Sequence, residues 1–265
     1  MTTETLCRRT CELAIKAGDF ISRESLRFSP HHVEYKGKHN LVSYVDKTAE
    51  QKLAEGLSKL LPGSGFITEE NTVRRKEKDY TWVIDPLDGT TNFIHGIPCY
   101  AVSIGLLKEG MPVMGVVYEI NRKECFYAWE GSMAFLNGKP IRVSAASSPS
   151  ESLMATGFPY TNYSRMKEYM EVFAYCMRNT RGIRRLGSAA ADLAYVACGR
   201  FDGFFEYGLN PWDVAAGAFI VRQAGGRISD FSGKDNYIFG KEILACNASV
   251  FDKIFKVIKH KFGKK

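Results

Sequence analysis

Residues 82–93 read WVIDPLDGTTNF, and in them an apolar run, Trp82, Val83 and Ile84, ends on two carboxylates, Asp85 and Asp88. A side chain at the end of an apolar strand emerges at the sheet edge. Pro86 fixes the turn, and Asp88, three residues on, can swing to the same side. Gly89 lets the backbone approach a ligand closely. The amides of Gly89, Thr90 and Thr91 stand at an expected helix start, which suits an anionic group. Two carboxylates ~4 Å apart repel by about 4 kcal/mol at an effective dielectric of about 20. That is large beside a net stability of ~5–15 kcal/mol, so a shared proton or a cation must offset it. Oxygen donors with no histidine or cysteine among them favour a hard ion such as Mg2+. Further acids stand at other expected element edges: Glu69 in GFITEEN, Asp213 in NPWDVAAG and Asp46 in SYVDKTAE. D-P-x-D-G alone is also an ordinary Asp-rich turn; the T-T-N-F that follows it and these outlying acids weigh against that reading.

The elements that must position these acids follow from hydrophobic periodicity. Residues 4–26 are expected to be helical, with Leu6, Leu13, Ala17, Phe20 and Ile21 on one face. EYKGKHNLVSYVD reads as a loop with a short extended piece. A second helix is expected to start near Asp46 as N-cap, to carry Ala49, Leu53, Leu57, Leu60 and Leu61, and to stop at PGSG. GFITEEN is expected to be a short strand ending on Glu69 and Glu70. From 99 to 143, β-rich runs are split by short turns, Asn137-Gly138 the strongest, as in an antiparallel meander. Beyond the bridge SAASSPSES, strands and helices alternate: LMATGF, a helix near 164–178, GIRRLG, the helix SAAADLAYVACG, FDGFFEY, the helix PWDVAAGAFIVRQAGG, ILACN and a last helix. The pattern predicts an α+β protein with helices layered against two sheets. It predicts one domain over 1–265, its N-terminal half about 1–146 and its C-terminal half about 147–265, because the bridge is too short to separate them.

Of the 265 residues, 45% are hydrophobic and 25% charged, as in an ordinary globular protein. No apolar run approaches the roughly 18 residues of a membrane span, and the charged, patterned N-terminus is not a secretory signal. Seven scattered cysteines with no C-x-x-C pair read as reduced thiols in the cytoplasm. Much of the net charge of +7 sits in KIFKVIKHKFGKK, where lysines alternate with Ile254, Phe255, Val257 and Ile258. A docked terminal helix with a solvated lysine face is expected there rather than a nucleic-acid arm.

Phosphatases of the haloacid dehalogenase type carry an aspartyl nucleophile in D-x-D-G-T near the chain start. Their acids are two apart; Asp85 and Asp88 are three apart and lie a third of the way along, which excludes that chemistry at this site. GFITEEN, WVIDPLDGTTNF and NPWDVAAGAFIVRQAGG, in that order and at those intervals, instead resemble the inositol monophosphatase family, of the Mg2+-dependent, lithium-sensitive phosphatase superfamily, in its bacterial form. The resemblance runs from the first helix to the last strand. It implies a layered α/β/α/β/α sandwich of the inositol monophosphatase and fructose-1,6-bisphosphatase type.

It also implies two to three Mg2+ ions. Glu69, Asp85 and the Leu87 carbonyl would hold the first, Asp85, Asp88 and Asp213 the second, and Glu69 would reach a hydrated third. The implied catalytic residues are Thr90, Asp46 and Glu69. Thr90, oriented by Asp46, would help deprotonate the water that attacks phosphorus in line, with no covalent phosphoenzyme. The Gly89 and Thr90 amides, with Thr91 beside them, would grip phosphate. Substrate hydroxyls would meet Asp88, the loop Gly187-Ser188-Ala189 and Glu206 in FFEYG. Lys36, on the loop that commonly covers the metals, is a candidate contact. His95 is expected to be structural, and Phe93, Phe158 and Tyr160 to be packing residues.

Asn40 stands where many relatives have Asp, and Asn210-Pro211 stand where animal enzymes carry His-Cys. D-G-T-T-N-F speaks for the inositol-phosphatase branch against those with D-G-T-K-x-F or D-G-T-R-x-F. The expected activity is hydrolysis of inositol 1-phosphate. A broader sugar phosphatase, acting also on fructose 1,6-bisphosphate, is the alternative. An RNA- or polymerase-associated regulatory protein is the alternative of another class, supported only by the basic balance and the lysine tail. The resemblance implies a homodimer; neither a membrane nor a nucleic-acid partner is expected.

Overall fold

Trp82, Val83 and Ile84 are all fully buried, so the strand that carries them must be covered on both faces. The computed structural model describes residues 1–28, 33–37, 40–73, 78–160 and 162–263, with backbone alone for 33–37 and 40–42. Helix α1 (Thr3–Ser25) is followed by the hairpin β1 (Val33–Gly37) and β2 (Asn40–Ser43), helix α2 (Tyr44–Leu60), strands β3 (Gly65–Thr68) and β4 (Tyr80–Asp88), and the short helix α3 (Thr90–Ile94). The meander comprises β5 (Ala101–Lys108), β6 (Met111–Glu119), β7 (Glu124–Trp129), β8 (Ala134–Leu136) and β9 (Lys139–Ile141). Then come β10 (Leu153–Thr156), α4 (Met166–Asn179), β11 (Gly182–Arg184), α5 (Ala189–Ala197) and β12 (Gly203–Tyr207). The chain closes with α6 (Pro211–Gln223), β13 (Arg227–Ser229), β14 (Glu242–Cys246) and α7 (Ala248–Phe262).

Strands β3 to β9 form a seven-stranded sheet in sequence order, and the second sheet runs β11-β10-β12-β14-β13. Alternation along β4 assigns the layers. Trp82 and Ile84 pack with Ala14, Ile21, Leu53 and Leu57 of α1 and α2. Val83, from the opposite face, packs with Leu193 of α5 and Ile220 of α6, which in turn meet Phe204 and Ala245 of the second sheet. The far side of that sheet, through Phe205 and Leu244, is closed by Val172 of α4 and Ile254 and Ile258 of α7. The layers are therefore α/β/α/β/α, the expected architecture. The terminal lysine-rich segment is the docked helix that its alternation predicts: Ile254 and Ile258 are fully buried, while Lys253 and Lys259 are exposed. Among the described residues, no helix is long and apolar enough to cross a membrane.

One boundary differs from expectation. Ser43, not Asp46, caps α2, and Asp46 occupies the third helical position, where its Oδ2 accepts from the Ser43 amide at 2.9 Å. Asp suits both places, because each sets a carboxylate against the free amides of a first turn. The consequence is functional: from the third position the other oxygen, Oδ1, points back past the helix end.

Candidate functional site

The parity of β4 explains how two acids three residues apart come to one side. In a regular strand, residues three apart face opposite ways. Here Asp85 pairs with Ser103 and Asp88 with Ala101, three residues against two, so a bulge at Pro86-Leu87 resets the alternation. Glu69 arrives beside them because β3 runs parallel to β4 with Thr68 opposite Ile84, and the Glu69 amide donates to the Ile84 carbonyl at 3.3 Å. Asp213 comes from the first turn of α6, seated by Ser103 Oγ donating to the Trp212 carbonyl at 3.0 Å.

Asp85, Asp88 and Asp213 each offer a carboxylate oxygen within 4.8 Å of the others. Each also has one oxygen held by the chain. Asp85 Oδ1 accepts from the Leu87 amide at 2.9 Å, and Asp213 Oδ2 from the Asn210 amide at 2.7 Å. Asp88 Oδ2 accepts from Ser188 Oγ and the Ala190 amide, both at 2.6 Å. These bonds fix the carboxylates and leave their second oxygens for a ligand. Burial, then the charges of Glu69, Asp88 and Asp213, hold the Asp85 carboxyl well above the usual range. Burial, then Asp88, does the same for Asp213. Asp88 is pushed up to about 6 by burial, against the bonds from Ser188 and Ala190.

A buried all-oxygen set whose charges repel one another fits a hard divalent cation. The residues that would hold it are Asp85, Asp88 and Asp213, with Glu69 and the Leu87 carbonyl at the same edge. The protonation behaviour gives a test. Without a cation, the folded chain keeps the Asp88 proton up to about pH 6, whereas the unfolded chain releases it near its ordinary value of about 3.9. Between those values the folded state binds more protons, so metal-free stability falls as pH rises, and a cation competes with the proton for the same oxygens. The melting-temperature increment given by Mg2+ is expected to grow between about pH 5 and about pH 7. A constant increment over that range would remove Asp88 from the site.

Beside the cluster, Thr90 Oγ lies 3.0 Å from Asp46 Oδ1 and 3.0 Å from the Leu87 carbonyl. Gly89, at φ +97°, sits where a Cβ would come 3.1 Å from the Cys99 carbonyl and 3.2 Å from that of Gly187, so the turn into α3 admits only glycine. Gly89, Thr90, Thr91, Gly187, Ser188, Ala189 and Glu206 line one pocket with the acids. The Ser188 hydroxyl is committed to Asp88, so that residue enters the pocket as a holder of the carboxylate. Lys36 falls on β1, where side chains lie outside the described part of the structure, as does that of Asn40. His95 is exposed at the end of α3, away from the pocket lining. Phe93 is a core residue as expected, whereas Phe158 and Tyr160 are 43% and 44% exposed and line the pocket.

Four further residues shape the site. Glu50, fully buried on α2, accepts from the Glu70 and Thr72 amides, each at 2.7 Å, and so fixes the segment that follows Glu69. Its sequence signal is its place at i−3 and i−7 from Leu53 and Leu57, on the buried face. Asn92 Nδ2 donates to the Cys99 carbonyl at 2.7 Å and the Leu186 carbonyl at 2.8 Å, tying α3 to the loop before α5. Arg185 and Asp192 line the same pocket, and nothing in their spacing sets them apart from surface residues.

Three comparisons with known proteins agree with this geometry. The model of the inositol monophosphatase family matches residues 3–260. The inositol-1-monophosphatase of Mesorhizobium japonicum is 38% identical over 260 residues, covering 98% of each chain. The Nus factor SuhB of Escherichia coli K12 is 43% identical over 238 residues, covering 89% of each. The crystal structure of the extragenic suppressor protein suhB from Bartonella henselae superposes with a TM-score of 0.90 at 40% identity, covering 95% of this chain and 97% of that one.

Proposed function

The chain belongs to the inositol monophosphatase family, and on that premise we propose that it is a Mg2+-dependent phosphatase whose main substrate is inositol 1-phosphate. The observation that carries this reading is the juxtaposition of two devices. One is the set of three carboxylate oxygens within 4.8 Å; the other is a threonine hydroxyl hydrogen-bonded to a buried aspartate at its side. Mg2+ in the carboxylate cluster would neutralise charge on the phosphoryl group and on the attacking and leaving oxygens. The protein's own groups do the rest. The Gly89 and Thr90 amides hold phosphate oxygens, which fixes phosphorus against the cluster. Thr90, with its proton turned to Asp46, can take a proton from the attacking water as it passes its own to the Asp46 carboxylate. Glu206, buried and lining the same pocket, would meet the alcohol that leaves.

Phosphate release from inositol 1-phosphate and fructose 1,6-bisphosphate, measured side by side with and without Mg2+, tests the reading. Mg2+-dependent release, inhibited by lithium and several-fold faster from the inositol ester, is expected. Equal release from both would demote the protein to a general sugar phosphatase, and silence on both would defeat the proposal. A regulatory role in transcription is the second reading, favoured by the name Nus factor that several relatives carry. Charge reversal at the exposed lysines of α7, which leaves the buried face of that helix intact, tests it through salt-dependent RNA binding.

A further inference from the structure

Glu69 stands one residue past the end of β3, so the sheet holds it from one side only, through its amide, which donates to the Ile84 carbonyl at 3.3 Å. The other side is held by a helix. Glu50, on α2, is fully buried, and both of its carboxylate oxygens are engaged. Oε2 accepts from the Glu70 amide, and Oε1 accepts from the Thr72 amide and the Thr72 hydroxyl, each at 2.7 Å. The two amides converge on one side chain because Asn71 between them turns through the left-handed region, at φ 54°, which asparagine tolerates better than most residues. The Asn71 side chain closes the turn from the solvent side, its Nδ2 donating to the Glu69 carbonyl at 3.1 Å. Without the Glu50 carboxylate these donors lose their acceptor, and the turn must reopen to find others.

We propose that Glu50 is a positioning residue for the reaction: it sets where the Glu69 carboxylate lies, and with it the affinity for Mg2+, without touching ion or substrate. The inference rests on the phosphatase reading above. Glu69 lines the pocket with Asp85, Asp88 and Asp213, and its charge acts on Asp85, whereas Glu50 does not line it. Mg2+ demands near-octahedral geometry, so a displaced ligand weakens binding. Groups that orient metal ligands commonly set affinity by about 10- to 100-fold. The clamp acts where that leverage is greatest, on the backbone just past Glu69, beyond the support of the sheet. Asp46 lies four residues before Glu50 on the same helix face and holds Thr90. One rigid helix therefore frames both the metal ligand and the threonine. The two contacts remain separable: loss of Asp46 is expected to act on turnover, loss of Glu50 on metal affinity.

The test is Glu50→Gln, read by calorimetric Mg2+ binding and by the Mg2+ dependence of phosphate release from inositol 1-phosphate. Glutamine keeps the volume and one acceptor oxygen, but its amide then meets either the Glu70 amide or the two Thr72 donors, a donor against a donor. The Mg2+ dissociation constant and the Mg2+ concentration for half-maximal release are both expected to rise about tenfold. At saturating Mg2+, kcat should stay within about threefold of the wild type, since the reacting groups are unchanged. Leu57→Ala, two turns further along α2 and fully buried, is the control for simple destabilisation, with a lower melting temperature and wild-type Mg2+ affinity. Glu50→Gln behaving as Leu57→Ala does would overturn the inference, as would a loss of kcat at saturating Mg2+ with affinity unchanged. If Glu50→Gln fails to fold, as a melting curve would show, Thr72→Val decides. It removes the hydroxyl bond alone and should raise the Mg2+ dissociation constant about two- to threefold; an unchanged constant sinks the clamp. A wild type that binds Mg2+ but hydrolyses no ester defeats the phosphatase reading only, because calorimetry still reads the effect of Glu50. A wild type that binds no Mg2+ defeats both.

Discussion

Asp88→Asn is expected to lower Mg2+-dependent phosphate release by at least about 100-fold while leaving a folded protein. The two halves of that expectation come from the two oxygens of one carboxylate. Oδ2 accepts from Ser188 Oγ and the Ala190 amide at 2.6 Å each, which ties the end of β4 to the start of α5. An asparagine can keep both bonds by turning its carbonyl oxygen to them, so the packing survives. Its amide nitrogen then takes the place of the oxygen that lies within 4.8 Å of those of Asp85 and Asp213. A donor with no lone pair to give now points where a cation needs a ligand. The metal-free protein loses one repelling charge and should melt no lower than the wild type. The increment that Mg2+ adds to its melting temperature should shrink at neutral pH. Near-normal turnover with unchanged Mg2+ dependence would show that the cluster is not where the chemistry happens.

The features legible in the sequence were those whose cause is local. The apolar run into Asp85, the Asn137-Gly138 turn of the meander and the periodic faces of α1 and α7 each depend on a few adjacent residues, and each appears in the structure. The meeting of Glu69, Asp85, Asp88 and Asp213 needed long-range facts, namely the parallel register of β3 on β4 and the seating of α6 on β5. Periodicity does not carry those, and it was the three quoted motifs together that pointed to the constellation. Asp192 and Arg185 stayed hidden because a charged residue on a helix or in a loop looks the same facing a pocket as facing solvent, whereas Glu50 shares the buried face of α2 with Leu53 and Leu57 and was legible there. Phe158 and Tyr160 were expected to be packing residues for a similar reason, since an aromatic flanking a guanidinium at a pocket wall has no signature in the sequence. Ser43 and Asp46 show a finer ambiguity. Either can cap the helix, and the choice settles which oxygen of Asp46 faces Thr90.

That oxygen makes Asp46→Asn the second large effect. Asp46 is buried, which raises its pKa, but the hydrogen bonds from Ser43 and Thr90 pull it back toward the ionised form. A desolvated carboxylate that also accepts from the Ser43 amide and hydroxyl, 3.0 Å from Thr90 Oγ, is a fixed acceptor for the threonine proton. With that proton directed to Asp46, the hydroxyl's lone pairs face the site, and Thr90 can receive a proton from water as it hands its own to the carboxylate. Asparagine reverses the polarity of this contact. Its carbonyl oxygen is drawn to the two donors of Ser43, at 2.9 Å from the amide and 2.6 Å from Oγ, so its amide turns to Thr90 and donates. The threonine proton must then go to the Leu87 carbonyl, also 3.0 Å away, and one lone pair that should accept from water is already occupied. Turnover is expected to fall by roughly 100-fold or more, the usual worth of a positioned proton acceptor. Mg2+ affinity, read by melting-temperature titration, should change little, because Asp46 is not among the three clustered carboxylates. Thr90→Val removes the same relay from the other end. If the two residues act as one unit, the double variant Asp46→Asn/Thr90→Val should be no slower than the worse single one. Additive losses would mean that Asp46 and Thr90 act separately, and a collapse of Mg2+ binding in Asp46→Asn alone would move that residue into the metal site.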